Sequence, residues 1–233
     1  SKQTVVAVAG LSLLSILAYF LSYFAMPLKT GVNKSFTIKK RLAGTTADLS
    51  RKGDIDEPIK ELISFINGLD EYVTTSSCSG RIIVLSKEDG DSCKKGCKWI
   101  LTSHTTVDTS EALEKVKCCE KNMVLKFEPF ILHVQCQDVH AAKEMQNCAL
   151  AAGFRNSGSV FGRGGNITFA VRGTHGLEVP LSDEAGLLVT EDYIRYIVDK
   201  ANSKMCENMR KIEKFSRAVH NLKRNEIHQR LKH

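Results

Sequence analysis

No GxxxxGKS or GxxxxGKT stretch occurs in this chain, which excludes a P-loop nucleotide site. No GxGxxG opens a helix behind a strand, so the dinucleotide fingerprint and that of Rossmann-type methyltransferases are missing as well. HExxH is absent, and no histidine stands at finger spacing from the cysteines. There is no internal repeat and no regular βαβ alternation, which argues against a parallel sheet. The 8 cysteines are irregularly spaced in a chain of 233 residues, large enough to need no staples, so they read as reduced intracellular thiols. Cys93 and Cys97 with Cys118 and Cys119 could make a four-thiolate zinc site. Adjacent cysteines chelate one metal poorly, however, and no metal is expected.

What is present divides unevenly along the chain. The formal charge of +7 belongs to the two ends. Arg210, Lys211, Lys214, Arg217, Lys223, Arg224, Arg230 and Lys232 face only Glu213 and Glu226. Lys29, Lys34, Lys39, Lys40 and Arg41 precede the first acid, Asp48, and the body between the two blocks is net acidic. Such basic poles suit a polyanion, either nucleic acid or an anionic membrane face, with a solvated helix tail as the plain alternative. Residues 4–26 carry no charge, and as a helix they would span about 35 Å, enough for a bilayer core of about 30 Å. The basic residues that follow would keep the main domain on the cytoplasmic side. A membrane anchor and a gene-model artefact are the two readings of this segment. The expected division is therefore an apolar segment at 1–28, a basic linker at 29–47, one domain at 48–222 and a basic tail at 223–233.

Within the domain, Asp56 reads as the N-cap of a helix whose Ile59, Leu62, Ile63, Ile66 and Leu69 face inward, with Gly68 at its end. Strands are expected at 72–76, 81–86 and 98–103, the last after the polar excursion KEDGDSCKKGC. Thr109 or Ser110 caps a short helix to Lys117, and extended runs at 123–127 and 130–136 bend at Pro129. Asp138 opens a helix that Gly153 closes, and the glycines of 162–165 mark a hairpin turn before a strand at 166–172. From Thr190 onward, Ile194, Ile197, Val198, Ala201, Met205, Met209, Ile212, Phe215, Val219 and Leu222 recur at helical steps. The expected class is α+β with a mixed or largely antiparallel sheet, flanking helices and a long C-terminal helix, and it is non-Rossmann.

Four polar stretches carry chemistry-bearing residues. In TTSSCSGR, Gly80 permits a φ > 0 turn, Ser76, Ser77 and Ser79 offer hydroxyls beside backbone N–H groups, and Arg81 offers a fork of donors. A serine-rich hairpin turn is the alternative there. In LKFEPFILHVQC, Lys126, Glu128 and His133 are polar groups inside apolar runs, so they pair with one another or serve a site. GFRNSG displays Arg155, Asn156 and Ser157 in a loop behind a helix. In VRGTHGLEVPL, Arg172 ends a strand and His175 stands between glycines as an exposed-loop acid or base.

Taken in order, ADLSRKGDIDEPI, TTSSCSGRI, LKFEPFILHVQC, GFRNSG and VRGTHGLEVPLS resemble the wybutosine-synthesis protein 3 family, and VTEDYIRYIVDKANSKMCENMRKIEKF extends the resemblance to about Leu222. The resemblance implies a family-specific α+β fold and an S-adenosyl-L-methionine cofactor. The implied partner is the anticodon loop of phenylalanine tRNA, methylated on ring nitrogen N-4 of the tricyclic wybutosine precursor at position 37. It further implies a cytoplasmic enzyme among other wybutosine-pathway enzymes. The alternatives are a non-catalytic tRNA-binding adaptor and a membrane-tethered scaffold. On this expectation Ser76, Ser77, Ser79, Gly80 and Arg81 bind the cofactor or an anionic substrate group. His133 and His175, with His104 third, are candidate acceptors of the ring-nitrogen proton. Lys126, Glu128, Arg155, Asn156, Ser157, Arg163 and Arg172 contact the RNA. Arg81, His133 and His175 must then share one cavity.

Overall fold

A computed structural model describes residues 34–43, 54–87, 97–118 and 121–230, with side chains described at 36–40 and from 54 to 222 within those ranges. The apolar segment at 4–26, Cys93, Cys119 and the last three residues lie outside the described residues. Among the described residues no helix is long and apolar enough to cross a membrane.

The segment expected to be a linker contains a helix, α1, at Lys34–Ala43. It lacks a long apolar stripe because its anchoring is mixed. Phe36 is buried, and Lys40 donates its Nζ protons to the carbonyls of Asn67 and Tyr72, at 2.6 and 2.9 Å, and of Leu69. Asn67 belongs to the last turn of α2, Lys60–Gly68, which follows a 3-10 turn at Glu57–Ile59. A cation there satisfies carbonyls at the helix end and complements its dipole. Burial pushes the Lys40 ammonium below its ordinary range, while Asp70 and Glu71 oppose the shift. This lysine is part of the domain's structure rather than of a solvated basic pole.

Next in order are β1 (Tyr72–Cys78), β2 (Arg81–Lys87), β3 (Cys97–Ser103), α3 (Thr109–Lys117), β4 (Met123–Glu128), β5 (Ile131–Cys136) and α4 (Val139–Ala151). They are followed by β6 (Gly158–Phe161), β7 (Ile167–Arg172), β8 (Leu177–Pro180), the two-residue strands β9 (Ser182–Asp183) and β10 (Gly186–Leu187), and α5 (Glu191–Arg230). Asp138 caps α4 through the Ala141 N–H at 2.8 Å, as its position predicts. The cap of α3 is Asp108, which accepts from the Glu111 N–H at 2.8 Å, rather than Thr109 or Ser110.

Two four-stranded sheets result, ordered β1-β5-β7-β6 and β3-β2-β4-β8, and every described strand pairing is antiparallel. The first sheet buries Leu132, Val134, Phe169 and Val171 against Ile63, Met145 and Phe215. The second buries Ile82, Val84, Leu125 and Phe127 against Leu113, Ile194, Val198 and Met205. The stripe of α5 serves both cores, with Met209 packed against each. The fold is α+β, with the long C-terminal helix as its common support.

The chain passes from the first sheet to the second at Ser79–Gly80 and returns at Pro129–Phe130. These crossings lie side by side, since Cys78 is opposite Ile131 and Arg81 is opposite Glu128. Gly80 has φ +96, and a Cβ on it would lie 2.8 Å from Asn208 Nδ2 and 3.0 Å from the Glu128 carbonyl. A side chain is therefore excluded both by backbone conformation and by space. Asn208 of α5 is fully buried at this point. Its Nδ2 donates to the Ser79 carbonyl at 2.7 Å, and its Oδ1 accepts the Phe130 N–H at 2.8 Å. Replacing Asn208 by Ala leaves one buried acceptor and one buried donor without partners, a cost of about 2–4 kcal/mol. Urea unfolding of Asn208→Ala should show that loss, whereas exposed Ser203→Ala should stay within about 0.5 kcal/mol of the parent. Equal effects in the two variants would refute the clamp.

Candidate functional site

A cavity of about 490 Å³ opens where the two crossings meet. The end of β1 supplies Ser77 and Cys78, the start of β2 supplies Arg81, and His104 follows β3. The return crossing supplies Glu128, Pro129, Phe130 and Ile131, while Arg172 and Gly173 close the side next to β7. Gly173 is pressed against the crossing, for a Cβ there would stand 2.6 Å from Pro129 Cβ. Its N–H donates to the Phe130 carbonyl at 2.9 Å. The glycine beside Arg172 thus permits the loop to seat against the proline.

Asp56, expected to cap a helix, makes no side-chain cap bond. Its buried carboxylate turns to the site, and Oδ2 accepts from Ser79 N at 2.7 Å and Ser79 Oγ at 3.1 Å. His104 Nδ1 lies 3.2 Å from that oxygen and 2.9 Å from the Gly80 carbonyl. Both neighbours are acceptors, which assigns the proton of the neutral ring to Nδ1 and the lone pair to Nε2. Ser79 is fully buried and bonded to Asp56, so it belongs to the wall behind the cavity and not to its surface. Arg81 Nε donates to Glu128 Oε2 at 2.7 Å, which fixes the guanidinium plane at the rim. Burial pushes the Cys78 thiol up, with the Gly80 backbone opposing the shift, which favours the neutral thiol. Asp56, Cys78 and His104 present ligand atoms within 4.8 Å of one another, a set able to hold a divalent cation. The hydrogen bonds just described also account for Asp56 and His104 as an orienting pair.

Of the residues singled out in the sequence, Ser77, Arg81, His104, Glu128 and Arg172 line this cavity, with Ser79 and Gly80 directly behind it. His133 is a neighbour rather than a lining residue. Its Nδ1 is 2.9 Å from Ser76 Oγ, and burial, then Arg172, pushes its pKa down. Ser157 Oγ accepts the Arg172 N–H at 3.0 Å, which brings the loop carrying exposed Arg155 and Asn156 to the rim. Lys126 pairs with Glu178 at 2.8 Å and stands outside the cavity. Arg163 lies at the far end of the β6–β7 hairpin from Arg172, because Phe161 faces Ile167 and Gly158 faces Ala170.

His175 departs furthest from expectation. Between its two glycines it is not an exposed loop residue: the ring packs on Phe127 at 5.5 Å, and both ring nitrogens are buried without a hydrogen-bond partner. Helix α5 covers this loop, with Lys204 Nζ donating to the His175 carbonyl at 3.0 Å. The sequence reading also missed Asp56, Cys78, Pro129, Gly173 and Asn208 as parts of the site. Asn208 carried a signal, since it is a polar residue between Met205 and Ile212 on the side of the helix that packs.

The family described as methyltransferase TYW3 matches residues 33–221 of this chain, taking in α1 upstream of the boundary expected at residue 48. The tRNA wybutosine-synthesizing protein 3 homolog of Mus musculus is 46% identical over 184 residues, which cover 78% of this chain and 72% of that protein. Its Homo sapiens counterpart is 45% identical over 171 residues, covering 72% of this chain and 66% of that protein. Among solved structures, the PH1069 protein of Pyrococcus horikoshii superposes with a TM-score of 0.68 at 29% identity, covering 80% of this chain and 93% of that one. A hypothetical protein from Aeropyrum pernix gives a TM-score of 0.60 at 26% identity, covering 72% and 98%.

Burial, then Lys211, holds the His175 ring below the ordinary histidine range. A ring that resists protonation only when folded makes the unfolded chain the better proton binder. Its contribution to stability is therefore full above about pH 6.5 and is lost as the pH falls below that value. The urea midpoint should drop between about pH 7.5 and pH 5.5, and drop less in His175→Gln. The same drop in both proteins would remove His175 as a source of the acid sensitivity.

Proposed function

Since the chain belongs to the methyltransferase TYW3 family, we propose that it methylates ring nitrogen N-4 of the tricyclic wybutosine precursor in the anticodon loop of phenylalanine tRNA, with S-adenosyl-L-methionine as donor. The reaction takes place in the cavity at the two crossings, in a cytoplasmic enzyme of the wybutosine pathway. The observation that carries this assignment is the convergence of Arg81, His104, Glu128 and Arg172, from separate stretches of sequence, on one concave site.

The donor set fits the cofactor. Its amino-acid end bears a carboxylate and an ammonium, and the cavity offers Arg81 to the first and Glu128 to the second. The volume falls in the range of about 300–1,000 Å³ usual for small-molecule sites. When bound, the cofactor supplies an electrophilic methyl group. Arg81, held in plane by Glu128, fixes a carboxylate in one orientation, and such alignment is a large part of what a displacement at carbon requires. His104 takes the proton of the attacking ring nitrogen on Nε2, because Nδ1 is committed to the Gly80 carbonyl. Asp56, 3.2 Å from Nδ1, stabilises the imidazolium that forms. On this reading His104 stands ahead of His133, which adjoins the cavity, and of His175, which is not among its lining residues. Arg155, Asn156 and Arg172 hold the RNA backbone at the rim, where among the described residues no carboxylate stands within ion-pair distance of either arginine.

Two variants test the roles separately, using tRNA from cells that lack this step and mass spectrometry of the modified base. Arg81→Ala should abolish cofactor binding by calorimetry and methylation together, with an unchanged unfolding midpoint. His104→Gln should lower kcat by about 10²- to 10⁴-fold while leaving the cofactor Kd in place. A parent protein that binds tRNA but neither binds the cofactor nor methylates would be an adaptor, and the proposal would fail.

A further inference from the structure

The sole tryptophan of the chain stands on the open face of the second sheet. Trp99 is opposite Leu85 in the β2–β3 register, on the side that carries Arg81 and Lys126 and away from the side where Ile82, Val84 and Leu125 are buried. It remains 51% exposed. The Arg81 guanidinium lies over the ring, 5.1 Å from its centroid, while its Nε is tied to Glu128 in the cavity wall. A flat apolar surface of this size is therefore one side chain away from the cavity, and Arg172 opens on the same cavity. A purely structural role for the indole, as a cover for Ile83, would leave the choice of so large and exposed a ring unexplained. An aromatic ring beside cations on an open sheet face is the combination that binds unpaired nucleotides.

We propose that the Trp99 indole is a stacking platform for the unpaired base next to the methylated nucleotide. The inference rests on the reading that the substrate is an RNA loop. A base that enters a cavity of this size must leave its stack, which exposes a face of the neighbouring base. Trp99 stands outside the lining of the cavity but in contact with Arg81 at its rim, so it meets that neighbour rather than the base undergoing reaction. The indole replaces the lost stacking partner.

Because these 233 residues hold no other tryptophan, their emission reports on this ring alone. Titration with the unmethylated anticodon stem-loop should quench emission saturably, beyond any change that S-adenosylhomocysteine alone produces. An abasic site next to the target nucleotide should remove the quench, whereas an abasic site elsewhere in the loop should not. W99L should raise KM for tRNA about tenfold or more with kcat nearly unchanged, and W99F, which keeps a ring, should recover most of the loss. Indifference to the neighbouring abasic site or an unaltered KM in W99L would each overturn the proposal. Absence of methylation by the parent protein would instead sink the enzymatic reading, and the quench would still show whether the indole meets RNA.

Discussion

One buried amide fixes the geometry on which the site depends. Asn208 donates to the Ser79 carbonyl and accepts from the Phe130 N–H, so it holds the outgoing and returning crossings between the sheets at a set separation. It occupies the part of α5 where the apolar stripe passes from the core of the second sheet, ending at Met205, to that of the first, beginning at Ile212. Neither crossing can use ladder hydrogen bonds to satisfy these groups, because each is leaving one sheet for the other. An amide with a donor and an acceptor fixed in one plane meets both needs. Loss of either bond would leave a polar backbone group buried and unpaired, which is why a polar residue persists on an otherwise apolar surface.

The chemistry follows from those two crossings. Bringing Ser79 next to Asp56 diverts the carboxylate from the helix end to the site, and the same oxygen faces His104. Placing Arg81 opposite Glu128 makes a planar fork at the rim. The body of the chain is net acidic, which is a poor omen for an RNA partner if only the total is considered. Position resolves the tension: Lys117, Lys126, Arg210 and Arg217 are engaged by carboxylates, while Arg155 and Arg172 stay exposed near the cavity. Local fields, and not the net charge, decide where a polyanion settles.

Legibility in the sequence followed the range of the interactions. Strands β1 to β5, the cap at Asp138 and the stripe of α5 are written in local periodicity and turn chemistry, and they were readable. Helix α1 was not, because one buried phenylalanine and one lysine reaching across to α2 produce no repeating pattern. The members of the Ser-Ser-Cys-Ser-Gly-Arg stretch divide by alternation and burial, which its composition does not show: Ser77 and Arg81 reach the cavity, Ser79 faces the interior, and Ser76 meets His133. Asp56 looked like a cap because the residues after it are helical, and only its partner Ser79, far along the chain, shows otherwise. His175 looked exposed because glycines flank it, although α5, which covers it, begins well downstream. In each case the missing information was a contact between residues distant in sequence.

The central claim is that the cavity at the crossings receives the methyl donor. A crystal structure of the full chain with S-adenosylhomocysteine would examine it most directly. The expected result is ligand density against Arg81 and Glu128, with the sulfur facing the His104 side of the cavity. Density for the ligand at another surface, with this cavity empty, would contradict it.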